Sequence, residues 1–174
     1  IYFGAYDGSS GMELWAHDTS NASTWRVADI NSGTGASIPG QYMQTLVGDT
    51  LYFSATDGSS GHELWAHDTS NASTWQVADI NSGTFNSGSS HLGGVSAESM
   101  SPILVGDTLY FSAYDGSSGA ELWAHDTSNA STWRVANINS GSGHSLPGQY
   151  METLVGDTLY FSASDGSSGY ELWA

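Results

Sequence analysis

The chain has no cysteine and no lysine, and its only cations are Arg26 and Arg134. The absence of cysteine removes any disulfide framework and any thiolate metal site, and it leaves the redox compartment open. Two cations against 18 Asp and Glu, a net charge of −16, leave nothing to neutralise phosphates. Nucleic acid and anionic membrane surfaces are therefore disfavoured as partners, and cations are favoured. No run approaches the roughly eighteen apolar residues that cross a bilayer, which argues against membrane insertion. No stretch repeats apolar residues at helical spacing over three turns, so helices are not expected. The chain opens at Ile1 inside a strand-like pattern, without an initiator Met or a signal peptide, as an excised or mature piece of something longer would.

What is present is repetition. "DGSSGHELWAHDTSNASTW", from Asp57 to Trp75, recurs almost unchanged from Asp7 and from Asp115, and its first half recurs from Asp165. The "YF" strands begin at Ile1, Leu51, Leu109 and Leu159, spacings of 50, 58 and 50 residues. Periods near fifty with several short strands per unit mark blade or solenoid architectures. The units fall at about 1–42, 43–100, 101–150 and 151–174 of one repeat domain, the first and last incomplete. Residues 1–66 match 109–174 better than they match the unit between, so the duplicated item is a block of two units. The middle unit is longer because "TFNSGSSHLGGVSAESMSPI" stands where the others have a connection of the "TGASIPGQYMQT" type.

Each full unit reads as four short strands. "MQTLV" (43–47) ends at Gly48-Asp49, a two-residue loop suited to a tight hairpin. "TLYFSA" (50–55) sets Leu51, Phe53 and Ala55 on one face. "DGSSG" reverses the chain, and "HELWAHD" (62–68) sets Glu63, Trp65 and His67 opposite Leu64 and Ala66. "TSNAS" turns again before "TWQVADI" (74–80). The expected fold is all-β: tandem four-stranded antiparallel blades, β-propeller-like, in a closed ring or a section of a longer array.

At "LYFSATDGSSGHELWAHDTSNASTWQVADI", from Leu51, the sequence resembles the bacterial family of ELWxxDGT repeats, and the resemblance covers nearly the whole chain. It implies a secreted or cell-surface protein of propeller-like units and no particular activity. The family's glycines are missing from the "DTSNAST" turn. The "DGSSGxELW" hairpin also resembles the Asp-box turn of extracellular propellers, where that turn is structural.

The repeated polar residues allow two readings each. The pairs Asp7/Glu13, Asp57/Glu63, Asp115/Glu121 and Asp165/Glu171 could hold Ca²⁺, which wants six to eight oxygens. Alternatively each Asp accepts N–H bonds within its own hairpin, with the Glu held against a neighbouring strand. The tryptophans of "ELW" and "STW" could stack on sugars, or serve as core between blades. His17, His67 and His125 stand beside Asp18, Asp68 and Asp126 without a third ligand, and read as hydrogen-bonded surface histidines. Asn21, Asn71 and Asn129 open Asn-Ala-Ser sequons, glycan acceptors in a secreted eukaryotic protein and turn formers otherwise.

An enzyme is not expected. A catalytic acid and base need unlike environments, whereas near-identical units supply near-identical ones, and there is no G-x-S-x-G elbow. The one asymmetric feature is the insertion 85–101, with His91 and Glu98. The sequence therefore reads as a non-enzymatic extracellular structural or adhesive repeat protein, a filament or matrix component whose partners are itself or neighbouring repeat units. A multivalent lectin with glycan partners is the alternative, and a glycoside hydrolase a distant third.

Overall fold

The computed structural model describes residues 1–41, 43–82 and 100–174, together with the backbone of 94–95. Every regular element among them is a strand. The order is β1 (Tyr2–Tyr6), β2 (Met12–Asp18), β3 (Ser23–Ala28), β4 (Gln44–Val47), β5 (Thr50–Ala55), β6 (Glu63–Asp68), β7 (Ser73–Ala78) and β8 (Gly94–Val95). There follow β9 (Ile103–Val105), β10 (Thr108–Tyr114), β11 (Ala120–Asp126), β12 (Ser131–Ala136), β13 (Glu152–Val155), β14 (Thr158–Ser164) and β15 (Tyr170–Trp173).

These strands form four antiparallel sheets. Their orders are β1-β2-β3, β4-β5-β6-β7, β12-β11-β10 with β8 and β9 both paired to β10, and β13-β14-β15. The all-β expectation holds. The chain divides into two compact units, Ile1–Ser90 and His91–Ala174, with two sheets in each.

The alternation in the sequence sets the register. Val47 pairs with Thr50 across the Gly48-Asp49 loop, and Gly48, Gly106 and Gly156 take the positive φ that the first position of such a loop requires. Phe53 pairs with Trp65 and Ser54 with Leu64, so the LYF and ELW strands share faces as the alternation predicts. The fourth strand differs from expectation at both ends, starting at Ser73 and stopping at Ala78 rather than running to Ile80. It stops because the Ile80 N–H leaves the ladder to bond the Glu63 carboxylate.

Within each unit the two sheets meet face to face. In the first, Leu14 packs on Phe53 and Ala55, flanked by Tyr2, Val27, Ile30, Leu51 and Trp65. In the second, Leu122 packs on Phe161 and Ala163, with Met100 beneath and Tyr110, Ile138, Leu159 and Trp173 around them. The same joint is thus built twice, at matching positions of the duplicated block.

The connection between sheets is stitched to both. Ser37 N–H donates to the Met12 carbonyl and Thr56 N–H to the Ser37 carbonyl, while Gly40 N–H donates to Ser54; Ser145, Ser164 and Gly148 repeat the arrangement in the second unit. A Cβ added to Gly11 would lie 1.9 Å from the Gly35 carbonyl oxygen, and one added to Gly119 would lie 1.8 Å from that of Gly143. Only glycine lets the connection lie this close over the turn.

The DTSNAST turn carries strain instead. Ala22, Ala72 and Ala130 sit at φ 58°, 60° and 61°, in the left-handed region that disfavours a Cβ. Replacing all three by glycine should stabilise the chain by about 1 kcal/mol per site, the relief of strain outweighing glycine's extra backbone entropy. Thermal unfolding of the triple variant should show a melting temperature several degrees higher.

Candidate functional site

The repeated motif contains two carboxylates in different settings. Asp7 closes the DGSSG turn on itself: its Oδ1 accepts the N–H groups of Ser9 at 2.7 Å and Ser10 at 2.8 Å, together with the Ser9 hydroxyl. Asp57, Asp115 and Asp165 accept the matching N–H pairs. For Asp7 and Asp165 these bonds hold the carboxyl well below the usual carboxylate range. For Asp57 and Asp115 partial burial works in the opposite direction, and the serine bonds still outweigh it.

The two arginines are spent here. Arg134 pairs with Asp115 at 2.9 Å and also donates to the Ser118 hydroxyl, and Arg26 lies 3.7 Å from Asp7 and 3.6 Å from Asp29. In the second sheet Gln76 occupies the arginine position, so Asp57 has no cation from its own strand set.

The glutamates are fully buried in three of four copies. Glu13, Glu63 and Glu121 are enclosed, while Glu171 is exposed. Glu13 accepts the N–H groups of Ile30 at 2.8 Å and Ser37 at 3.1 Å. Glu63 takes Ile80 at 2.7 Å and Asn81 at 3.3 Å. Glu121 takes Ile138 at 2.7 Å and Ser145 at 3.3 Å, plus the Ser145 hydroxyl at 2.8 Å. Burial pushes Glu63 up to about 8, against the two N–H bonds and helped by the nearby charges of Asp79 and Asp57; Glu121 is raised for the same leading reason.

The Asp and Glu of the first three pairs therefore accept from different backbone segments, one from the hairpin and one from the crossing connection. Among the described residues no group of three or more His, Asp or Glu side chains is placed to hold a metal ion.

One expectation needs correction. His67 and His125 are buried, not surface residues; their Nδ1 atoms lie 2.9 Å from the hydroxyls of Thr74 and Thr132, and desolvation lowers both pKa values. The tryptophans divide. Trp65 and Trp173 of "ELW" pack into the joints, whereas Trp25, Trp75 and Trp133 of "STW" are 46 %, 41 % and 40 % exposed. They stand on β3, β7 and β12, each an outermost strand of its sheet among the described residues. Their cross-strand partners are the small residues Ala16, Ala66 and Ala124, which cannot cover an indole.

Asn21, Asn71 and Asn129 are exposed at the tip of the neighbouring turn. Each donates Nδ2 to the preceding Asp18, Asp68 or Asp126 and accepts the N–H of Ser23, Ser73 or Ser131. His91 and Glu98 lie outside the described residues. A cavity of about 430 Å³ opens between the sheets of the second unit, lined mainly by Tyr110, Leu122, Val135, Ile138, Phe161 and Trp173. Its wall is apolar apart from Asp157, Thr158 and the tyrosine, and it brings no two carboxylates together.

No family model matches the chain, and no curated protein matches it. Among solved structures it is similar to TolB from Acinetobacter baumannii, with TM-score 0.53 and 14% identity over 99% of this chain and 37% of TolB. It is also similar to a puromycin hydrolase, with TM-score 0.50 and 12% identity over 94% of this chain and 24% of that one. Both are β-propeller proteins, and the chain spans well under half of either. At these identities the likeness is one of fold.

The buried Glu63 has a pH signature. Its folded pKa lies above that of the unfolded chain, so its contribution is fully present below about pH 4.5 and is lost as pH rises through about 8. His62, His67 and His125, held below 6.5, act in the opposite direction on the acid side, which leaves pH 7 to 8 as the window where Glu63 acts without their opposition. Melting temperature should fall across that window, and Glu63→Gln should flatten the fall.

Proposed function

We propose that the chain is a non-enzymatic, extracellular repeat module with a structural or adhesive role, presenting one Trp-bearing outer edge several times over. The observation that carries this reading is the exposure of Trp25, Trp75 and Trp133 at equivalent places on three edge strands. An indole left on the surface in one copy is unremarkable, since single exposed apolar residues are normal. The same indole exposed in every described copy is a surface presented in multiples, where weak contacts add through effective concentration.

The polar groups support the non-enzymatic part. The turn aspartates, the buried glutamates and the histidines each bond within the fold, in the same way from unit to unit. Among the described residues no cavity brings two carboxylates together, as acid–base hydrolysis requires. The likeness to propeller proteins supports reading the four sheets as blades, closed into a ring or continued by further units. The resemblance to ELWxxDGT repeats and the acidic surface support the extracellular or cell-surface setting.

A multivalent carbohydrate-binding role is the second reading, favoured by the same tryptophans, because a flat indole face packs on the apolar face of a pyranose. Both readings are tested by retention of the chain on polysaccharide-coated and cell-derived surfaces. Replacing all three tryptophans by alanine should reduce retention by about tenfold or more, and each single replacement by much less. Competition by free saccharide would select the lectin reading. Undiminished retention of the triple variant would refute both.

A further inference from the structure

The four copies of the repeat are not equally covered, and the difference falls on two residues. The phenylalanine of the LYF strand is 1 %, 0 % and 4 % exposed at Phe53, Phe111 and Phe161, but 36 % at Phe3. The leucine of the ELW strand is 3 %, 0 % and 5 % exposed at Leu14, Leu64 and Leu122, but 66 % at Leu172. Those are the two sides of the joint seen inside each unit, where Leu14 meets Phe53 and Ala55, and Leu122 meets Phe161 and Ala163.

The first sheet therefore carries an open phenylalanine side, with Ile1 72 % exposed beside Phe3, and Ala5 and Trp15 half-buried. The fourth sheet carries an open leucine side, with Tyr160 next to Leu172 on the same face. We infer that these two half-joints bind each other between copies of this chain, the Leu172 face of one copy seating on the Phe3 face of the next. This rests on the structural reading proposed above and names its partner as a second copy.

The internal joints supply the template. In the first unit the Tyr2 ring lies 5.4 Å from that of His67 across the joint, and the matching contact between copies sets Tyr160 against His17 of the next copy. The interface joins unlike faces, so it is heterologous and grows head to tail, closing only if the rotation per copy permits. Association must also overcome the net charge of −16 on each copy, and added salt should strengthen it by screening.

The test is sedimentation velocity of the chain over about a hundredfold range of concentration, at low and high salt. The chain should form concentration-dependent species larger than a monomer, increasing with salt. Phe3→Glu and Leu172→Glu each alter an exposed position, so both variants should keep the parent's thermal unfolding while associating about tenfold more weakly or worse. Mixed in equal amounts they should form a one-to-one complex, because each retains the half-joint that the other has lost.

A parent chain that stays monomeric at every concentration overturns the inference. So does parent-like assembly of both variants, or a mixture that remains monomeric. The surface-retention experiment separates this from the functional reading: a monomeric chain retained through its tryptophans loses the joint and keeps the function, and an assembling chain that is not retained does the reverse.

Discussion

A carboxylate buried without a cation is the constraint from which this architecture follows. The chain has two arginines for eighteen acidic residues, and both arginines are taken up at the DGSSG turns or the acidic residue that follows the fourth strand. Glu13, Glu63 and Glu121 are left to be satisfied by backbone N–H groups, and the amides they bond belong to the connection leaving the fourth strand. A buried polar group is tolerated only when its hydrogen bonds are supplied. Each glutamate therefore fixes the path of the connection, and in the first and last pairs of sheets that path sets where the next sheet begins. Desolvation remains the dominant influence on Glu63, whose pKa stays high despite two N–H donors.

Once the connection is anchored, the joint can be built from few residue types. One leucine on one sheet meets a phenylalanine and an alanine on the next, with tyrosine, isoleucine and tryptophan closing the sides. The alanine and the glycines are as necessary as the large residues. Gly11 and Gly119 allow the connection to lie on the turn at a distance that no Cβ permits. Outside the connection, the units also vary at single positions, such as Gln76 where the other full units have Arg26 and Arg134. That exchange removes the ion pair and leaves the Asp57 turn closed by its serine N–H groups.

This economy separates residues that make the fold from residues the fold displays. Aspartate, glutamate, histidine and asparagine, the types that suggest catalysis or metal binding in a sequence, are largely engaged in turns, connections and threonine contacts. The tryptophans of the fourth strands are displayed because they stand at the sheet edge opposite alanines, where nothing in the same sheet is large enough to cover them. The result is a surface whose chemistry is aromatic and acidic, repeated at the period of the sheets.

Much of this could be read from the residues alone. Strand alternation, glycine-led hairpin loops and the repeat period determined the all-β class and the faces of the LYF and ELW strands, and offered the self-bonded aspartate turn as one of two readings, because these depend on neighbours within a few positions. The end of the fourth strand could not be read, since Ile80 leaves its ladder for Glu63, seventeen positions away. Nor could the burial of His67 and His125, or the division of the tryptophans into covered and exposed sets. Those outcomes depend on which sheet lies against which face, and alternation states only that a residue has a side. What covers that side is decided by packing between segments remote in the chain, and here only the tertiary structure supplied it.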